Sequence, residues 1–272
     1  MRAAGALAAS PRGVTLFRHA DVVAAAHDVQ TFSSAASARR AVPNAMDPPE
    51  HGAWRALVDT FFTPVIMAAL EPRVHAIAAP ADPTTSLLGA TVGAQPPVEA
   101  DIVSILRNWT AGDLASMAAA LGVVVWFLAT QADVQQQLRA RPEGLAAAID
   151  EMLRIGDPFL VNRRVTTRAV CIGEHELAAG TRVYLNWTSA NRDEAVFGDP
   201  DAYRPERNAP HNLVYGIGIH ACPGRPLATM ELVVAVHALL QATTCIEPAP
   251  DAAPLRETYP LGGWRSVPVR LR

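Results

Sequence analysis

Apolar positions along this chain recur mostly three or four residues apart, and only a few short stretches alternate, so the pattern is chiefly helical. Ala20–Ala26 reads as a helix with Asp21 near its start. Pro48-Pro49-Glu50 opens another, because proline is tolerated in a first turn; it carries His51, Trp54, Arg55, Leu57 and Val58 and ends before Pro64. A short helix follows over about Val65–Ala78. Asp101–Thr130 is one long pattern, about 45 Å if continuous at ~1.5 Å per residue. Ala111-Gly112 lies in its middle, where glycine costs helix stability, which predicts either close packing or a bend. Asp133–Arg139, Pro142–Ile155 and the amphipathic Pro226–Ala242 complete the helices. Strands are expected at Val14–Phe17, Arg163–Thr167, Ala169–Ile172, Arg182–Leu185 and the alternating Trp264–Leu271. Ser33–Asp47 and Ala190–Pro210 read as loops, and Ala79–Pro97, rich in Pro, Ala and Thr, as a linker or junction. No internal repeat interrupts this order. The fold class is mainly α with minor β, in a single domain over 1–272.

Composition narrows the function. Half of the 272 residues are hydrophobic and 18% are charged, enough for a sizeable core. The net charge is -3 and no Lys/Arg-rich run occurs, which argues against nucleic acid as a partner. Residues 1–10 lack the apolar core of a signal peptide. The longest apolar stretch, Leu114–Ala129, is shorter than the ~20 residues of a membrane span, so it reads as a buried helix and no membrane partner is expected. Three cysteines, Cys171, Cys222 and Cys245, are too few and too odd for a disulfide framework and fit a reducing, cytoplasmic compartment.

Cys222 stands in Tyr215-Gly216-Ile217-Gly218-Ile219-His220-Ala221-Cys222-Pro223-Gly224. Gly216, Gly218 and Gly224 permit backbone conformations closed to other residues and let a flat ligand approach closely. A helix begins just after the cysteine, and its free N–H groups are expected to lower the thiol pKa and favour the metal-ligating thiolate. His220 supplies a cation or a donor for an anionic group nearby. A buried core cysteine beside a glycine turn is the plain alternative, but seven or more constrained positions in one loop go against it.

This loop resembles the haem-binding signature of the cytochromes P-450, with Tyr215 where that family usually has Phe. The resemblance implies a cytochrome P-450 fold, with Cys222 as ligand to the iron of haem b. Glu151-Met152-Leu153-Arg154 is similar to the family's Glu-x-x-Arg helix, and Tyr203-Arg204-Pro205-Glu206-Arg207 to the loop that returns an Arg to it. Glu151, Arg154 and Arg207 are thereby expected to form a buried ion network. Asp47-Pro48-Pro49-Glu50-His51, with Arg55 one turn on, resembles the helix that reaches a haem propionate. Arg164 matches a further propionate contact; its neighbour Arg163 competes, and strand alternation allows only one of the two to reach.

On the long helix the family places Ala/Gly-Gly, one residue, an acid, then Thr. Ala111 and Gly112 fit, but Leu114 falls at the acid and Ala115 at the Thr. Asp113 and Ser116, three apart on roughly one face, are the remaining candidates for a proton relay. The flanking tracts Asn108–Leu114 and Pro210–Gly216 resemble a bacterial branch often fused to its own reductase. No such domain is present, so electrons from NAD(P)H are expected through a separate ferredoxin or flavin/iron–sulfur reductase. Relative to the family the fold is incomplete, with a deletion near Ala79-Pro80 that removes helices packing beside the long helix. Val123, Val124, Trp126 and Phe127 are expected to lose cover, and the substrate pocket to be open. The implied activity is monooxygenation of a small apolar organic substrate; a haem-binding remnant without turnover is the alternative.

Overall fold

The computed structural model describes residues 5, 7–37, 40–75, 87, 90–92, 95–259 and 261–272. Residues Ala79 and Pro80, and with them the expected deletion point, lie outside the described residues.

Alternation at 14–16 and 183–185 puts Val14, Leu16, Val183 and Leu185 on one buried face, as a period of two requires. The strands β1 (Leu7–Ser10), β2 (Gly13–Leu16), β3 (Phe32–Ser33), β4 (Val161–Thr166), β5 (Val170–Ile172), β6 (His175–Leu177) and β7 (Arg182–Asn186) follow in chain order. Five of them make one sheet in the order β1-β2-β7-β4-β3. Within it β2 and β7 run parallel, with Val14 opposite Val183, and β4 and β7 run antiparallel, with Arg164 opposite Val183 and Arg163 opposite Tyr184. Directly opposed residues share a face. Arg164 therefore points to the buried side and Arg163 to solvent, as their exposures show. Helix α1 (His19–His27) covers the buried face with Val22, Ala25 and Ala26.

The helical layer holds α2 (Glu50–Asp59), α3 (Pro64–His75), α4 (Glu99–Ala111), α5 (Met117–Thr130), α6 (Ala132–Ala140), α7 (Leu145–Gly156) and α8 (Arg225–Ala242). Val123, Val124 and Leu128 of α5, Ile149, Met152 and Leu153 of α7, and Leu232, Val236 and Leu240 of α8 form the largest apolar cluster. Trp54 and Val58 of α2 pack with Ile102 and Ile105 of α4 in another. The expected loss of cover on α5 is overturned. Val123 and Val124 are buried, Trp126 packs on Trp264 at 5.3 Å and Phe127 on Tyr203 at 5.5 Å, because α7, α8 and the C-terminal strands close over that face.

A π-helical turn, Gly112–Ser116, joins α4 to α5. The weak spot at Gly112 is thus a widened turn; nothing lies within 4 Å of where its Cβ would stand, so close packing is not its cause. The joined helix spans Glu99–Thr130, 32 residues that include 18 consecutive ones of mean hydropathy 1.8, and with Glu50–Pro72 is long and apolar enough to cross a membrane by length and composition. That corrects the length argument drawn from Leu114–Ala129 alone, since the helix continues on both sides of the apolar stretch. Both runs contribute to the internal clusters described above.

Two further departures are local. Trp264–Leu271 is two strands, because Pro268 lacks the N–H a continuous ladder needs. After β8 (Ile246–Pro248) and β9 (Leu255–Arg256), β10 (Trp264–Ser266) pairs with β9 and β11 (Val269–Leu271) with β8. The strands β1, β3, β6, β8 and β9 were not expected; at two to four residues each they carry too little pattern to register.

Candidate functional site

The cysteine loop closes on itself through backbone hydrogen bonds. Cys222 N–H donates to the Tyr215 carbonyl at 2.8 Å, Gly216 N–H to Leu213 at 2.9 Å and Ala221 N–H to Gly218 at 3.0 Å. Gly216 and Gly218 sit at φ 70° and 75°, the left-handed region that glycine enters freely. A Cβ on Gly218 would meet the Ala26 carbonyl oxygen at 3.2 Å, so the loop lies tight against α1. Gly224 differs: at φ −78° any residue fits, and a Cβ there would face Cys222 Sγ and the Phe62 ring at 3.8 Å each. Tyr215 is pushed above its ordinary pKa by burial, against a side-chain hydrogen bond with Thr229, which is the partner its hydroxyl required. The Arg225 guanidinium lies 5.2 Å from its ring centre.

Cys222 is open to solvent, and α8 begins three residues beyond it. The surrounding protein raises the thiol pKa, while the backbone N–H groups of Gly224 and Arg225 and the charges of Arg55 and Arg225 pull it down. The helix end thus acts on the thiol in the expected direction, with packing around it working the other way. Among the described residues no three His, Cys, Asp or Glu side chains converge on one point.

Cations gather beside the loop. Helix α2 presents His51, buried, with its ring centre 4.4 Å from that of His220. Arg55 reaches across to the loop, its Nη1 donating to the carbonyls of Ile219 at 2.9 Å and Ala221 at 2.6 Å, while its Nε pairs with Asp59. Arg164 is buried, and burial presses its pKa down to about 10, against the pull of Asp47. Its Nη1 donates to the Arg163 carbonyl, but its Nε has no partner. His220 is pushed down to about 3 by burial first, then by Arg164 and His51. It is neutral in the chain alone and hydrogen-bonds Ser34 Oγ at 2.9 Å, a donor or acceptor rather than the cation that was one of two expectations. Asp47 is spoken for by Ser33 Oγ and Ser34 N–H. A buried guanidinium with an orphaned N–H, near the Arg55 cation and two imidazoles that burial keeps toward the neutral form, calls for an anion. Together with the exposed thiol and the glycine turns beside it, this donor set fits a flat iron-bearing group with carboxylate arms. Ser33 and Ser34 carried no signal in a polar, Ala-rich stretch, and Asp47 entered the sequence pattern only as the first residue of the propionate-helix motif.

Behind the loop, Arg154 and Glu151 of α7 pair through Nε–Oε2 at 2.7 Å and Nη2–Oε1 at 2.9 Å. Arg154 also donates to the carbonyls of Asn191 and Pro200 and lies 4.6 Å from the Phe197 ring centre. The expected third member is corrected. Arg207 is exposed, with its guanidinium by Gly198; the adjacent Asn208 side chain bonds Glu151 Oε1 at 2.7 Å, joined by Arg204 N–H at 3.0 Å. The turn at Pro205–Asn208 directs the residue after Arg207 inward.

Ala111, Gly112, Leu114, Ala115 and Ser116 line the widened turn, where Leu114 is 70% exposed and Ala115 and Ser116 are exposed. The Asp113 side chain lies outside the described residues. A π turn holds more residues per turn than an α turn; the face expected to join Asp113 to Ser116 lies outside the described residues.

The family model "Cytochrome P450" matches residues 117–258, a stretch that includes Glu151, Arg154, Arg164 and Cys222. The chain is 38% identical over 191 residues to Cytochrome P450 144 of Mycobacterium tuberculosis, covering 68% of this chain and 42% of that protein. It is 33% identical to Cyclomarin C epoxidase CymV of Salinispora arenicola, covering 70% and 48%. It thus spans less than half the length of these relatives. Among solved structures, HmtN, a post-tailoring hydroxylase of himastatin biosynthesis, superposes with a TM-score of 0.90 at 22% identity, covering 98% of this chain and 94% of that one. CYP109Q5 from Chondromyces apiculatus gives 0.89 at 22%, covering 100% and 93%. The fold is that of these proteins.

Proposed function

The chain belongs to the cytochrome P450 family, and from that premise we propose that residues 1–272 form one haem domain of a monooxygenase. The reaction inserts one oxygen atom of O2 into a small apolar organic substrate, with electrons from NAD(P)H through a ferredoxin or flavin/iron–sulfur reductase. Haem b, when bound, supplies an iron that activates dioxygen, with the electron-rich thiolate favouring O–O cleavage. The observation that carries the reading is the Cys222 loop beside a cation cluster whose Arg164 Nε is buried without a partner. Cys222 holds the iron; Arg164, His51, His220 and Arg55 receive the propionates. Gly216 and Gly218 keep the loop clear of side chains, and Tyr215 packs beneath it. On the opposite side, Ala111 and Gly112 leave open space at the widened turn, and Ser116 and Asp113 move protons there, through water. The free Cys171, Cys222 and Cys245 support a cytoplasmic setting.

A second reading, haem binding without turnover, is favoured by one observation: the widened turn is open, with Leu114 exposed and Leu114 and Ala115 in place of acid and Thr. A spectrum of the reduced protein under carbon monoxide tests the ligand. A thiolate-type Soret band is expected, and absence of haem uptake would overturn both readings. Substrate-dependent NAD(P)H consumption with a surrogate reductase then separates turnover from binding.

A further inference from the structure

A cavity of about 580 Å³ lies away from the cysteine loop, lined by α5, the end of α7 and the β9–β10 ribbon. Its volume is that of small-molecule sites, ~300–1,000 Å³. No member of the Cys222 loop or of the propionate set lines it. On the long helix its first lining residue, Val123, is roughly 15 Å beyond Gly112 at ~1.5 Å per residue.

Asp157 forms one wall. It caps α7 in a left-handed conformation, φ 58° and ψ 79°, pinned by close packing: a Cβ on Gly262 would stand 2.2 Å from the Asp157 carbonyl oxygen. The residue is 4% exposed. The neighbouring Thr188 hydroxyl, also on the wall, supplies one hydrogen bond to the carboxyl, and neither oxygen has a partner beyond it. Buried polar groups are almost always paired, and an unpaired buried carboxylate is among the costliest exceptions. Burial pushes Asp157 up to about 7, against Thr188, Arg192, Arg154 and Arg256. The two guanidiniums on the wall are engaged elsewhere. Arg192 bonds the Ile155 carbonyl and Asp201, and Arg256 lies 3.7 Å over the Trp264 ring. With Asp201 and Glu257 also on the wall, two carboxylates balance the two guanidiniums, and Asp157, ionised by a bound cation, adds a third. The opposite wall is aromatic, with Trp126 against Trp264, and the Trp264 ring already takes a cation on one face.

We propose that this cavity binds a small organic cation, a protonated amine on an apolar body. The ammonium donates to Asp157 and Thr188, and the body lies on Trp126 and Trp264, where cation–π attraction adds to burial. Neither a carboxylate ligand nor a purely apolar one satisfies both walls.

The test is a titration of the full haem-loaded chain with phenethylammonium, read by tryptophan emission and by the Soret band together, and repeated with 2-phenylethanol. A saturable emission change with an unmoved Soret band is expected, and weaker binding of the alcohol. Asp157→Asn, which tolerates the left-handed backbone, is expected to weaken the amine by about 10- to 100-fold, the worth of a hydrogen bond to a charged group. Trp264→Leu, read by calorimetry, is expected to weaken it too. Equal binding of amine and alcohol, unchanged affinity in Asp157→Asn, or a Soret shift saturating with the emission change would overturn the proposal. Because tryptophan emission needs no haem, a failure of the haem-thiolate reading leaves this test intact.

Discussion

Glu151 holds Arg154 by both of its carboxylate oxygens, at 2.7 and 2.9 Å, with the arginine side chain wholly buried. Arg154 spends its other N–H groups on the Asn191 and Pro200 carbonyls, so the pair ties α7 to two distant loops. Lysine cannot make that fork. Arg154→Lys is expected to destabilise the fold by about 3–5 kcal/mol, the cost of breaking one side of a buried pair, measured by urea unfolding. Arg207→Ala is expected to cost under about 0.5 kcal/mol, as for an exposed site away from such features; equal losses for both would restore Arg207 to the network.

Arg164 and Arg163 are adjacent, yet only Arg164 faces inward. Arg164→Leu is expected to weaken haem retention by about 10- to 100-fold, the worth of a charge-assisted hydrogen bond, while Arg163→Leu leaves it unchanged. Haem transfer to apomyoglobin measures both. Loss in the Arg163 variant alone would reverse the assignment.

The loop glycines differ in kind. Gly218 at φ 75° against Ala26 makes Gly218→Ala cost at least about 1–2 kcal/mol, the penalty of a left-handed residue with a Cβ. Gly224, at φ −78°, escapes that penalty, so Gly224→Ala is expected to leave the stability of the haem-free chain within about 0.5 kcal/mol. Thermal melts of the two haem-free variants compare them directly.

Asp157 titrates at about 7 in the fold against 3.8 for a free carboxyl. The folded state holds the proton more tightly, so the stabilisation from this group is complete below about pH 4 and is lost as pH rises through 7. At ~1.4 kcal/mol per pH unit the loss is bounded at about 4 kcal/mol. Asp157→Asn is expected to flatten stability between pH 4 and 8, with its largest relative gain at pH 8. Parallel unfolding curves of both proteins across that range would count against a buried, raised carboxyl.

Ser116 stands exposed at the widened turn. If it moves protons in turnover, Ser116→Ala lowers product per NAD(P)H consumed by roughly tenfold or more, as loss of a proton-transfer group does, and raises hydrogen peroxide in step. Unchanged coupling would move that role away from Ser116.

Local rules determined much of this protein. Apolar spacing located α1, α2, α6 and α7 within a few residues, because each buries one face; α8, expected to be amphipathic, buries Leu232, Val236 and Leu240 on one side and Val234 on another, because it packs between neighbours. The Cys222 loop was legible because glycines at left-handed positions and a cysteine ahead of a helix constrain one short stretch. Tertiary structure decided what depends on neighbours distant in sequence. Asn208 rather than Arg207 completes the Glu151 pair, because the Pro205–Asn208 turn sets which side chain points inward. At Cys222 the local helix end lowers the thiol pKa as expected, and packing from several segments opposes it. Arg164 won over Arg163 only when the register with β7 set the buried face. The widening at Gly112–Ser116 turned a residue spacing into a different angular one, and the unpaired carboxylate of Asp157 exists only where α5, α7 and the β9–β10 ribbon enclose it. Periodicity encodes a face, whereas desolvation and pairing depend on everything that packs around it.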